Sequence, residues 1–265
     1  MKINFPTNYE VDYPIKNKYY YGETFKKDIT VVLLKASDNY CMYCGRKLVL
    51  DNEYYFNLEH SIEKDGYPGI EKPKTPFKHC KYNLSVACIR CNQKYKNKMI
   101  ERIPYNLVSK DLNCMSKSCN EPCTEYLIAR DTYLKMNKII LQPDGVKSSK
   151  NVLFNIQYDL LKQIYVPNIE NTSSADIDFI EEHIARFNLN RDTASTCIME
   201  VCELLWKIID LMPDSFNIRD VLNISREVHF DNIIGKVFIE YIQENIKDMV
   251  MLKEFCELYM LLSYV

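Results

Sequence analysis

Apolar positions recur with helical periods along much of the chain. Between residues 24 and 38, Phe25, Ile29 and Leu33 repeat at four-residue spacings and predict a helix. The same periodicity predicts further helices at residues 176–187, 193–212, 228–246 and 249–263. The chain has only six glycines. We therefore expect an α+β protein that is mostly helical.

A different pattern occupies residues 48–92. Residues 48–50 and 54–58 flank an Asp-Asn turn and predict a short β-hairpin rich in branched and aromatic residues. Residues 61–81 hold two glycines and three prolines, which exclude a long regular element. A short strand at 83–87 and a polar helix from Asn92 are expected to follow. The predicted order is strand, loop, strand, helix.

Irregular segments suggest where the domains meet. Residues 103–122 lack periodicity, and residues 142–150 contain a Pro-Asp-Gly turn signal. We therefore predict a first domain at 1–110, a connector at 111–150 and an all-helical domain at 151–265.

Composition narrows the cellular setting. The first residues lack the apolar core of a secretory signal, and charged residues interrupt the apolar C-terminal stretch 249–265. We expect neither secretion nor membrane insertion. The eleven cysteines then indicate metal ligands and buried thiols in a reducing cytoplasm.

Charge is distributed unevenly. Residues 1–110 carry 19 Lys and Arg against 12 Asp and Glu, whereas residues 111–265 carry 15 against 24. A positive first half suits contact with phosphates, and solvated faces of either sign are the alternative.

Two Cys-x-x-Cys pairs are the strongest chemical signal. Cys41, Cys44, Cys88 and Cys91 supply four thiolates, the number that a closed tetrahedral zinc site requires. Gly45 suits the tight turn of such a zinc knuckle. Redox thiols or buried small residues are the alternative. The sequence predicts one structural zinc.

A second metal site is a weaker possibility. Its candidate ligands are His79, Cys80, Cys114, Cys119 and Cys123. Free thiols in a connector are favoured, because these cysteines form no Cys-x-x-Cys pair.

Four polar residues stand out between and beside the zinc knuckles: Glu59, His60, Asn83 and Asn92. Singly, each has a plain structural interpretation. His60 fits a hydrogen-bonded core histidine, Asn83 a turn residue and Asn92 a helix N-cap. Their order inside two zinc knuckles favours a functional site.

The text of residues 41–98 resembles the zinc-stapled branch of the HNH endonucleases. The resemblance rests on Cys-Met-Tyr-Cys-Gly, Leu-Glu-His and Asn-Leu-Ser-Val-Ala-Cys-Ile-Arg-Cys-Asn-Gln-Lys. It implies a ββα-metal unit with His60 as general base and Asn83 bracing the loop. It also implies that Glu59 and Asn92 hold one Mg²⁺ or Mn²⁺. Many members have Asp-His-x-x-Pro, whereas this chain has Glu-His-Ser-Ile-Glu, which changes the loop after His60.

These residue types suit phosphodiester hydrolysis. An imidazole accepts a proton near neutral pH, and carboxylate and amide oxygens select hard cations such as Mg²⁺. We also expect Lys94, Lys96 and Lys98 to contact phosphates.

The helical half carries a second, shorter resemblance. Residues 184–191 resemble a stretch of HNH proteins from bacterial anti-phage systems such as Septu and some retrons. This resemblance implies an ATPase partner, and self-association through the helical half is the alternative.

Two functions compete at this point. The first is a divalent-metal-dependent endonuclease acting on nucleic acid, with DNA as the default substrate and a role in anti-phage defence. The second is a non-catalytic zinc module that binds nucleic acid or protein. A divalent ion near His60 would favour the enzyme.

Overall fold

The structure is a computed structural model of the 265-residue chain. It describes residues 1–16, 18–63, 77–96, 101, 119–148, 151–170, 173–191, 193–212 and 216–263. The described part is a mixed α/β protein in which helices predominate.

Seven strands and seven α-helices make up the described fold. The strands are β1 (Lys2–Phe5), β2 (Val49–Leu50), β3 (Glu53–Tyr54), β4 (Phe56–His60), β5 (Leu84–Cys88), β6 (Ile156–Asp159) and β7 (Ile164–Pro167). The α-helices are α1 (Glu23–Ala36), α2 (Thr124–Asn137), α3 (Ser174–Phe187), α4 (Thr193–Leu211), α5 (Ile218–Arg226), α6 (Ile234–Asn245) and α7 (Met249–Leu262). A 3-10 turn at Lys81–Asn83 precedes β5, and a π-helix at Arg90–Lys96 follows it.

Most of the predicted helices are confirmed. α3 begins with a capping box in which the Ser173 and Asp176 side chains satisfy each other's backbone N–H groups, and it ends where Asn188 turns left-handed. Its apolar residues Ile180 and Phe187 are buried, as the period required. The helix predicted at 228–246 instead begins at Ile234, and the separate helix α5 precedes it.

The prediction of an all-helical C-terminal domain is wrong. β6 and β7 form an antiparallel hairpin, and β6 also pairs with β1 from Lys2↔Asp159 to Phe5↔Ile156. Ile3 and Tyr158 are buried on this sheet. The predicted connector also contains a helix, α2. The domain borders stay a prediction. The pairing of β1 with β6 joins the predicted first domain to the predicted C-terminal domain.

The predicted hairpin at residues 48–58 is divided between two sheets. β2 pairs with β3, whereas β4 pairs with β5 in a register from Phe56↔Cys88 to His60↔Leu84. The strand predicted at 83–87 therefore lies one residue later, because Asn83 belongs to the 3-10 turn. This pairing places the second cysteine pair beside the start of β4.

The first cysteine pair is fastened to the segment before α6. The Ile233 N–H donates to the Gly45 carbonyl at 2.8 Å, and the Lys47 N–H donates to the Asp231 carbonyl at 2.9 Å. The Asn232 side-chain amide donates to the Cys44 carbonyl at 3.1 Å. Residues near position 45 are thus held by a segment almost 190 positions away.

Among the described helices, none combines the length and the apolar character needed to cross a membrane.

Candidate functional site: a cysteine cluster beside a buried carboxylate

The four predicted zinc ligands converge. The Sγ atoms of Cys41, Cys44, Cys88 and Cys91 all lie within 4.8 Å of one another, and all four residues are buried. Cys44 Sγ and Cys88 Sγ are 3.8 Å apart. Tetrahedral zinc with bonds of about 2.3 Å would separate its sulfurs by about 3.8 Å. The cluster therefore fits Zn²⁺.

Backbone geometry supports the cysteine cluster. The Cys88 N–H donates to Cys41 Sγ at 3.3 Å, and the Cys91 N–H donates to Cys88 Sγ at 3.5 Å. Hydrogen bonds with Cys41, Cys44 and Cys91 hold the pKa of the Cys88 thiol far below its usual value. Burial raises the pKa of Cys41. Bound zinc would keep all four sulfurs as thiolates.

Gly45 is required by the knuckle. Its φ of +71° is left-handed, and a Cβ there would lie 2.6 Å from Ile233 Cγ2 and 2.7 Å from Asn232 Oδ1. Only glycine fits without a shift of the packed neighbours.

The part of the chain that the structure describes contains no second metal cluster. His79, Cys80, Cys119 and Cys123 do not bring their ligand atoms together, and Cys119 Sγ donates to the Glu121 carbonyl at 3.2 Å. Cys114 lies outside the described residues.

Asn83 ties together the two sides of the loop after His60. Its Oδ1 accepts from the Ile62 N–H at 2.7 Å. Its Nδ2 donates to the Ile62 carbonyl at 3.0 Å and to the Phe77 carbonyl at 3.3 Å. Asn83 therefore connects Ile62, shortly after His60, to Phe77.

His60 ends β4 and is held on two sides. Its Nε2 lies 2.9 Å from the Lys78 carbonyl, and its ring contacts Tyr21 edge-to-face at 4.3 Å between centroids. Because a carbonyl only accepts hydrogen bonds, Nε2 must carry the proton. In the neutral ring, Nδ1 then keeps its lone pair. The residue is only 5% exposed.

Glu59 points away from His60, as neighbouring residues of a strand do. Its Oε2 accepts from the Tyr43 hydroxyl at 2.8 Å and from the Ser85 hydroxyl at 2.7 Å. Its Oε1 accepts from the Lys96 ammonium. Burial and the Glu59 charge raise the pKa of Tyr43, which keeps that hydroxyl protonated as a donor.

The Lys96 ammonium has three protein acceptors. Besides Glu59 it donates to the His60 carbonyl, and it lies 3.3 Å from Glu63 Oε1. Its side chain is 1% exposed. The prediction that Lys96 contacts phosphates is therefore wrong, because a buried, paired ammonium is out of reach. Lys94 is exposed, and Lys98 lies outside the described residues.

Asn92 lies in the π-helix directly after Cys91 and four residues before Lys96. It is half-buried. Thus the structure places Glu59, Asn83 and His60 on or next to the paired strands β4 and β5, with Asn92 on the element that follows. The side chains of Glu59 and His60 contact different neighbours.

Sequence reasoning missed the partners of these residues. Ser85 had a signal, since it faces Glu59 in the β4–β5 register once that pairing is known. Tyr21 and Lys78 had none, because Tyr21 precedes the motif and Lys78 lies in the loop-like segment between its matched pieces.

A cavity of about 560 Å³ lies elsewhere, between the cysteine cluster and α4. Its polar lining includes Arg46, Arg90, Thr193, Glu200 and Asp231. None of the predicted catalytic residues lines it. The cavity and the predicted chemistry are therefore separate features.

Comparisons of the chain with protein-family models, with curated proteins and with solved structures find no match.

Proposed function

We propose that the chain is an endonuclease that hydrolyses phosphodiester bonds of nucleic acid, with DNA as the default substrate and His60 as the general base. The supporting observation is the hydrogen bond between His60 Nε2 and the Lys78 carbonyl. It orients the imidazole and places the proton of the neutral ring on Nε2, so that Nδ1 would be the nitrogen that takes a proton from water. A base held in this way can deprotonate a water molecule that attacks phosphorus.

Asn83 is proposed as a positioning residue. Its three hydrogen bonds hold Ile62 and Phe77, which lie shortly after His60 and next to Lys78. Because Lys78 orients the His60 ring, a fixed loop end also fixes the base.

Zinc in this proposal is structural. Four cysteine ligands leave no open position for water or substrate. The ion would fasten β5 and the π-helix to the knuckle of residues 41–44, and so support the strand that pairs with β4.

The proposed ligands of a catalytic Mg²⁺ or Mn²⁺ are Glu59 and Asn92. Glu59 and Asn92 offer the hard oxygen donors that these ions prefer. However, Lys96 already donates to Glu59 Oε1, and two hydroxyls donate to Oε2. A divalent ion next to a buried ammonium would be repelled. Glu59 does not fit the ligand role in this arrangement, so no step of the proposed reaction passes through the ion.

That same arrangement favours a second candidate function. A buried carboxylate whose charge is balanced by Lys96 needs no metal. A zinc module that binds nucleic acid or protein without cleaving it would not need a catalytic metal at Glu59. His60 would then be a packed histidine against Tyr21.

Substitution of His60 separates the two candidates. We expect His60→Ala to lower the rate of plasmid cleavage by about 10² to 10⁴, because it removes the proposed general base. Zinc content and thermal unfolding should stay close to the parent. His229→Ala is the matched control, because His229 is an exposed histidine outside the site. Cleavage should be followed with Mg²⁺, with Mn²⁺ and without either ion.

Two results would replace the nuclease proposal with the binding-module candidate. One is cleavage by His60→Ala at the parental rate. The other is a parent protein with full zinc content that cleaves neither DNA nor RNA with any divalent ion. If the parent cleaves without added Mg²⁺ or Mn²⁺, the assignment of His60 as the general base stands, and the metal-ligand role of Glu59 and Asn92 falls.

The partner of the helical half stays a prediction. An ATPase partner or a second copy of the chain are the two expected occupants, in the setting of anti-phage defence. α7 exposes Val250, Leu258 and Leu261, each more than 60% accessible, which gives such a contact an apolar surface.

A further inference from the structure

Two tyrosines pack against His60 and against the segment that orients it. The Tyr21 ring contacts the His60 ring at 4.3 Å, and the Tyr19 ring contacts the His79 ring at 4.7 Å, both edge-to-face. His79 directly follows Lys78, whose carbonyl holds His60 Nε2. Tyr19 and Tyr21 therefore lie near the proposed general base, although neither belongs to the sequence motif that predicted its role.

Two ammonium groups converge on the same place. The Nζ atoms of Lys26 and Lys78 each lie 5.8 Å from the centroid of the Tyr21 ring. Neither lysine forms an ion pair with any residue that the structure describes. By contrast, Lys18 is paired with Asp28 at 3.3 Å. Two unpaired like charges beside one ring favour an anion from outside.

The rings offer a stacking surface. Tyr19 is 51% exposed. Burial and the nearby Lys78 lower the pKa of His79, which favours its uncharged ring, and this ring packs against Tyr19. We call Tyr19, Tyr21, Lys26, Lys78 and His79 the tyrosine–lysine surface.

We propose that the tyrosine–lysine surface binds single-stranded nucleic acid next to His60. The ammonium groups would neutralise backbone phosphates, and the exposed face of Tyr19 would stack on an unpaired base. This inference rests on the proposed function, because the surface would present a single strand to His60, the proposed general base. It does not depend on cleavage for its test.

The alternative occupant is a duplex. Duplex bases are stacked on one another and offer no face to a tyrosine ring, so a duplex would use Lys26 and Lys78 alone. The two occupants therefore differ in how much Tyr19 contributes. This difference decides the experiment.

Binding should be measured by fluorescence anisotropy with the full chain, without added Mg²⁺ or Mn²⁺. The probes are a labelled single strand of about 12 nucleotides, within the usual site size, and a duplex of the same sequence. We expect the single strand to bind more tightly. Tyr19→Ala should weaken single-strand binding about tenfold, and Tyr19→Phe should restore it because the ring is kept. Tyr54→Ala is the control, an even more accessible tyrosine on β3 outside the surface.

The charge contribution has its own measurement. Each phosphate contact on a single strand contributes about 0.7 to the slope of log affinity against log salt. The double variant Lys26→Ala/Lys78→Ala should therefore reduce the slope by about 1.4. Lys162→Ala, at an exposed lysine of the β6–β7 turn, should leave it unchanged.

The proposal is overturned if the duplex binds as tightly as the single strand, or if Tyr19→Ala binds like the parent. These failures differ from failure of the nuclease proposal. If the parent never cleaves but binds single strands in a Tyr19-dependent way, the proposal for the tyrosine–lysine surface stands and the nuclease proposal falls. If cleavage depends on His60 but Tyr19→Ala binds like the parent, the nuclease proposal stands and the proposal for the tyrosine–lysine surface falls.

Discussion

The cysteine cluster and the Glu59–Lys96 pair are both buried, yet they balance charge in opposite ways. The cluster brings together four sulfurs that could hold a cation, and a bound cation would keep them as thiolates. The Glu59–Lys96 pair contains its own cation, and two hydroxyls complete the carboxylate's hydrogen bonds. The first site is prepared for a metal. In the second, Lys96 already balances the charge of Glu59.

This difference explains why the two predicted metal sites fare differently. A tetrahedral sulfur cluster has no good alternative to its ion, since close thiolates repel one another. A buried carboxylate can be satisfied by protein donors, and here Lys96 has taken that role. Each prediction below perturbs one side of this contrast.

Loss of zinc should have the largest effect. Structural zinc binding provides about 10 to 16 kcal/mol of apparent free energy in small zinc domains, and that energy is folding energy. We expect Cys88→Ser to release zinc and to unfold the region around β4 and β5. Zinc content by elemental analysis and thermal unfolding by circular dichroism would measure this.

Cys256→Ser provides the control, since Cys256 is a buried cysteine in α7 outside the cluster. It should keep one zinc per chain. Freshly purified, folded parent protein without zinc would refute the assignment of the cluster.

The contrast between the two sites also shows what sequence could predict. Helix α3 was predicted almost to the residue, because its apolar period is a local signal. The four cysteines that could hold zinc were identified because the spacing of paired cysteines is typical of zinc ligands. Local signals of this kind do not need the fold to be known.

Long-range pairings gave no such signal. β1 pairs with β6 about 150 residues later through strands of only four residues, which alternation cannot identify. Lys96 lies 37 residues from Glu59 and looked like any lysine on a polar helix. Common residue types that meet only through folding are therefore invisible in the sequence, even where they decide the chemistry.

Breaking the Glu59–Lys96 pair should have the second largest effect. Removing one partner of a buried ion pair leaves an uncompensated charge, which typically destabilises a protein by 3–5 kcal/mol. We expect a loss of about this size for Lys96→Met in urea unfolding. The double variant Glu59→Gln/Lys96→Met should recover much of it, because it removes both charges together.

Lys96→Met also tests the magnesium assignment directly. If Glu59 can hold a divalent ion, the variant should be stabilised by millimolar Mg²⁺ or Mn²⁺, because ligand binding to the folded state raises stability. The parent should respond less. Equal metal responses in both proteins would exclude Lys96 as the competitor of the ion.

The smallest expected effect concerns how the cysteine cluster is supported from outside. Asn232 is buried, donates to the Cys44 carbonyl at 3.1 Å and accepts from the Ile234 N–H at 3.0 Å. Asn232→Ala would leave both backbone groups without their side-chain partner, at a cost of about 1–3 kcal/mol. Asn245→Ala, at an exposed asparagine of α6, should change stability by about 0.5 kcal/mol or less. If zinc alone organised the knuckle, Asn232→Ala would release zinc to a chelator at the parental rate. We expect faster release, because Cys44 would lose the bond that holds its backbone to the C-terminal helices.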